Sequence, residues 1–203
     1  MEAQMADQTQ IRKYYTFATD FALKDTPFRE WVNEQEQMIE FFPDSSKPFR
    51  GINFSKPPRI KFDRKGRRGP VRDAYPVTLG IWLVSDRLKV LFERIDAEAF
   101  VFQRAEVDYS NFPEPGPDFW FCYFMRELDC IDEEASRLRY YDNVPGVKAY
   151  EDLTDVKMLP AVVGSAHAFR LKYATSKLIV DDVIVDAVNA ENIQGFKFTP
   201  IQK

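Results

Sequence analysis

Histidine, cysteine and convergent carboxylates carry most of the chemistry that proteins perform, and this sequence is sparing with the first two. Its single histidine, His167, lies in a strand-like run beside Phe169 and Leu171 and reads as a structural residue with satisfied partners rather than as a base or metal ligand. Cys122 and Cys130 are the only cysteines. Two thiols are too few for a disulfide framework or a four-thiolate zinc site, and both read as small buried apolar residues. Carboxylates are denser: Glu127, Asp129, Asp132, Glu133 and Glu134 fall within eight residues. Two of them converging would serve as acid and base or hold a divalent cation, the basis of a carboxylate-dependent, metal-assisted hydrolase. Their spacing matches neither a calcium loop nor a zinc motif. The competing reading makes Asp129 or Asp132 the cap of a short helix, with Glu133 and Glu134 in its first turn. No glycine-rich phosphate loop is present. No catalytic, metal or cofactor-binding residue is assigned on these grounds, and no cofactor is expected.

A second chemistry resides in the basic run. Eight Lys and Arg residues lie between Lys56 and Arg72, among them Arg64, Lys65, Arg67 and Arg68. With Phe54 and Phe62 available for stacking, the run has the ingredients of a nucleic-acid adaptor. The whole chain, however, carries a net charge of −4 and would be repelled by a long duplex. Nucleic acid is therefore not the favoured partner, and the four cations stand as secondary candidates for contact with a protein. The charge is also uneven: residues 1–100 sum to +2 and residues 101–203 to −6. An acidic second half suits a basic protein partner.

Strand and helix signals indicate how these residues are positioned. Residues 1–10 are polar and aperiodic, a flexible start, and residues 11–203 read as one domain. Tyr14 to Phe21 reads as a strand. Thr26-Pro27 has the form of a helix start, with Phe28, Trp31, Val32, Met38, Ile39 and Phe42 at roughly helical spacing behind it. Residues 44–76 are rich in Pro, Gly and positive charge and read as a loop excursion. Leu83 to Phe102 recurs without a gap 96 residues later, as Ile179 to Phe198. Each copy ends a strand, starts a helix at Ser85 or Asp181, and returns through a strand with an alternating aromatic pair. Phe119 to Met125, Arg137 to Tyr141 and Ala166 to Tyr173 are further strands, and residues 142–164 read as irregular. The class is α+β: a mainly antiparallel or mixed sheet, a few short helices and two similar strand–helix–strand units. No run of about 18 apolar residues and no cleavable leader pattern is present, which predicts a cytoplasmic protein without a membrane span.

The aromatic strand Phe119-Trp120-Phe121-Cys122-Tyr123-Phe124-Met125 runs into Asp129-Cys130-Ile131-Asp132. Together with the Val-Ser-Asp and Val-Asp-Asp helix starts, Ala168-Phe169-Arg170-Leu171-Lys172 and the opening Lys13-Tyr14-Tyr15, it resembles immunity protein family eleven, a bacterial family found beside polymorphic toxins. The resemblance covers most of the chain from residue 11 onward. It implies a cytoplasmic antidote, not an enzyme, that binds a cognate toxin domain and blocks its active site or substrate surface. On that reading the acidic second half is the expected contact face. Asp118, Asp132, Glu133, Glu134 and Tyr140 are the candidate toxin contacts, placed ahead of the basic run.

Overall fold

Short runs of aromatic and β-branched residues, interrupted by Gly, Pro and Asp, dictate many short strands and few helices. A computed structural model describes residues 12–22, 24–41, 52–78, 80–141 and 146–202; the flexible start expected at 1–10 and residues 44–51 of the expected excursion lie outside these. In chain order the elements begin with β1 (Tyr14–Thr19), β2 (Phe28–Trp31), α1 (Glu34–Phe41), β3 (Arg59–Asp63), β4 (Ala74–Thr78) and β5 (Ile81–Ser85). Then come α2 (Asp86–Asp96), β6 (Phe100–Arg104), β7 (Glu106–Asp108), β8 (Phe119–Phe124), β9 (Glu127–Leu128) and β10 (Arg137–Tyr140). The chain continues through β11 (Tyr150–Thr154), α3 (Pro160–Val163), β12 (Ala168–Leu171), β13 (Ala174–Asp181), α4 (Asp182–Ala190) and β14 (Phe196–Pro200). The protein is α+β, and all its strand pairings are antiparallel except β3 with β7 and β9 with β12.

Two larger sheets form the body, ordered β4-β5-β8-β6 and β14-β1-β13-β12-β9. In the first, β5 and β6 flank β8, and α2 connects them; in the second, β13 and β14 flank β1, and α4 connects them. Ser85 and Asp181 occupy the N-caps of the two helices, accepting from the backbone N–H of Leu88 and Ile184. Both caps were legible in the sequence because the cap and its partner lie three residues apart. The helices pack together and close one central cluster with Phe17, Trp82, Val84, Phe124 and Val180 from the two sheets.

Each large sheet is also covered on its other face. The three-stranded sheet β2-β3-β7 brings Ile60 and Phe62 onto Leu83, Phe119 and Phe121. On the far side, the hairpin β10-β11 and its flanks bring Tyr150, Val156 and Met158 onto Tyr14, Phe169 and Ile179. Burial on both faces explains why β8 reads as an unbroken aromatic run instead of alternating.

Three local expectations are corrected. Phe28 to Trp31 is a strand, and the helix begins only at Glu34. Arg29 turns inward to the Pro76 carbonyl and the Tyr75 ring, Trp31 packs on Phe121, and Phe28 and Glu30 face outward, a period of two that pairing with β3 enforces. The excursion at 44–76 contains β3 and β4; in β3 Ile60 and Phe62 are buried between Arg59, Lys61 and Asp63. The stretch expected to be irregular holds β11 and α3.

Candidate functional site

The acidic segment before β10 forms a turn rather than the short helix considered for it. Its base is fixed by the Ile131–Met158 bridge and by Asp132 N–H donating to the Lys157 carbonyl at 2.9 Å. The Asp132 carboxylate accepts from Ala135 N–H at 3.1 Å and closes the turn. Glu133 then points back onto the hairpin. It accepts hydrogen bonds from the Tyr150 hydroxyl at 2.5 Å and the Tyr140 hydroxyl at 2.9 Å, and pairs with the Lys148 ammonium. Lys148 and Tyr150, with a smaller share from Tyr140, hold the Glu133 carboxyl down at about 2. Lys148 is in turn raised by Glu133 and stacks over the Tyr173 ring at 4.3 Å. A carboxylate held this firmly ionised is a fixed acceptor, not a proton carrier near neutrality.

Two neighbouring carboxylates have their own cations: Glu127 meets Arg170 at 3.4 Å and Asp129 meets Lys172 at 3.6 Å, and Asp129 also acts on the Lys148 and Tyr150 that hold Glu133. Among the described residues no three His, Cys, Asp or Glu side chains are grouped to hold a metal ion. On the surface here Glu134 is exposed, and Tyr140 and Tyr141 are 44% and 50% exposed. Of the five candidate contacts, the structure gathers Asp132, Glu133, Glu134 and Tyr140 here. Asp118 stands on the other large sheet, just before β8, paired with Arg104 at 2.8 Å. Lys148, Tyr150 and Tyr173, which organise the cluster, carried no local signal. They reach Glu133 only through the pairing of β10 with β11 and the turn after β12.

His167 belongs to a buried polar network. Its Nδ1 lies 2.7 Å from the fully buried Asp181 carboxylate, which also accepts from Arg12 at 2.6 Å. Arg12 further donates to the carbonyls of Gly164 and Ala166. The His167 backbone N–H donates to Asp96, which accepts also from Ala168 N–H and Arg126. Burial alone would raise the Asp96 carboxyl; these three donors outweigh it and hold the group below its ordinary range. The network ties the end of α2 to the start of α4 and to the segment before β1. Cys122 and Cys130 are buried, and burial raises both thiols, Cys130 to about 12, which leaves them unreactive near neutrality.

The basic run is organised by aromatic rings. After β3 a turn carries Arg64 over Phe112 at 4.6 Å, and Lys65 and Arg67 over Phe28 at 5.1 and 3.8 Å. Asp63 and Asp25 accept from the backbone N–H of Lys65 and Arg68, fixing the turn. Among the described residues none of Arg64, Lys65, Arg67 and Arg68 makes an ion pair within the salt-bridge distance. No helix among the described residues is long and apolar enough to cross a membrane.

The model of an immunity protein family, Imm11, matches residues 13–203. No curated protein matches the chain.

Proposed function

Because the chain belongs to the immunity protein family Imm11 over nearly its whole length, we propose that it is a cytoplasmic antidote that binds a cognate toxin domain and blocks its active site or substrate surface. Family membership is the observation that carries this reading, and it supports a role that is not enzymatic. Inhibition by binding requires a preorganised surface with aromatic anchors and a charged rim. The face around the 132–135 turn has that composition: Tyr140 and Tyr141 for contact area, Asp132 and Glu134 for charge, and Glu133 fixing Tyr140 from beneath. Asp118 contributes to the acidic surface of the other sheet.

The pairing of Glu133 decides how to test the face. Reversing its charge would break the cluster that shapes the surface, whereas Glu134 and Tyr141 are exposed and separable from folding. The test is co-expression and purification with the toxic domain encoded beside this chain. The wild type is expected to protect cells and form a complex. Glu134→Lys is expected to slow association roughly tenfold and Tyr141→Ala to shorten the lifetime of the complex, both with unchanged thermal stability. Absence of any complex with the wild type overturns the antidote reading; a complex indifferent to both variants moves the contact away from this face.

A further inference from the structure

One cavity on the described surface has no part in the reading above. A groove of about 710 Å³ runs beside β2, from Phe28 at one end to the first turn of α1 at the other. Among the described residues β2 is the outer strand of its sheet and pairs only with β3. Val32 N–H donates to the Arg59 carbonyl, and with the observed register the amides of Glu30 and Phe28 also face β3. By the antiparallel alternation, the N–H and C=O groups of Arg29 and Trp31 are directed away from β3, along the edge of the sheet. No partner for them lies among the described residues. Phe28 is 41% and Val32 49% exposed, unusual for large apolar residues flanking a strand edge.

Charge gives the groove a direction. At the Phe28 end stand Lys65 and, just outside the groove, Arg67, both over the Phe28 ring, against the single carboxylate of Asp63 across from Phe28. In the middle Glu30 faces Lys61 across the strands. At the far end, beyond Val32, Glu34 and Glu36 form the acidic first turn of α1, with only the exposed Lys56 near Glu36 at 3.7 Å. The two ends therefore attract opposite charges.

We propose that this groove receives one extended segment of the toxin domain, which pairs as an added strand with the free edge of β2. That segment carries an acidic residue toward Lys65 and Arg67 and a basic residue toward Glu34 and Glu36. Main-chain bonds to Arg29 and Trp31 supply affinity, apolar side chains cover Phe28 and Val32, and the charges at the two ends fix which way the strand runs. This second contact rests on the antidote reading and is independent of the tyrosine face.

The test is backbone hydrogen exchange, followed by NMR, of the full chain alone and bound to the toxic domain encoded beside it. In the free protein the amides of Arg29 and Trp31 exchange fast and that of Glu30 slowly. On binding, the first two are expected to slow at least about tenfold while Glu30 stays protected. Lys65→Glu and Glu34→Lys, both exposed, are each expected to weaken the complex about tenfold. A complex that forms with Arg29 and Trp31 still exchanging fast, and that tolerates both variants, overturns the groove proposal and leaves the antidote reading intact; the edge is then merely protected by its charges. Protection at these amides without any charge dependence overturns the assigned direction. If the wild type forms no complex, the antidote reading fails, and the groove proposal with it.

Discussion

Glu133 shows how far a single side chain's environment departs from what its neighbours in sequence suggest. Its ordinary value is 4.5, and in the folded protein it is held at about 2. The unfolded chain therefore takes up the proton first as the pH falls, so the contribution of Glu133 to stability is complete above about pH 5 and disappears toward pH 2. Urea titrations across this range should show a decline in stability that Glu133→Gln flattens; an unaltered slope would mean that the pairing with Lys148 and the tyrosines contributes nothing in solution. The acidic run was legible as a cluster, but the cations and tyrosines that hold it were not. Tyr140, Lys148, Tyr150, Arg170 and Lys172 reach it from four later segments, and no local pattern encodes such meetings. His167 was expected inside a strand and stands one residue before β12, and its anchor Asp181 was recognised only as a cap.

Among the elements, helix starts were the most readable and strand edges the least. Ser85 and Asp181 cap α2 and α4 through the same three-residue geometry, but they differ in what else depends on them. Ser85 gives its hydroxyl proton to Asp73 and accepts from Leu88. Asp181 is fully buried and also balances Arg12 and His167. Ser85→Ala should thus cost about 1 kcal/mol, and Asp181→Ala about 3 kcal/mol, because it strands a guanidinium as well as removing a cap. Equal losses in denaturant unfolding would show that the Arg12 pair is energetically idle. The strand β2 was mistaken for helix because Phe28, Trp31 and Val32 stand at i, i+3 and i+4, a helical spacing that places Phe28 and Trp31 on opposite faces of the strand. Its pairing with β3 and the inward turn of Arg29 decided the outcome, and these are tertiary facts. The same circumstance hid the groove: an unpaired edge has no composition of its own.

At the scale of the molecule, the α+β class and the cores were largely foreseeable from the aromatic runs, whereas the layering was not. Phe17 is the contact that most concentrates the two halves. It lies 4.5 Å from the rings of both Trp82 and Phe196 and packs also against Phe92 and Phe124, so one strand near the start of the chain joins both large sheets. Phe17→Ala should cost about 3–5 kcal/mol, and calorimetry should still show one transition, because the central cluster belongs to both sheets; two separated transitions would show that each sheet stands without the other.

The position of β1 has a consequence for the order of events on the ribosome. β1 is made long before its neighbours on both sides, β13 and β14. Until they arrive, Tyr15, Phe17 and two open edges have no native place to go, and the earlier sheet β4-β5-β8-β6 must hold its half of the shared core open. The second large sheet, and with it the shared core, therefore closes only after β13 and β14 have been made.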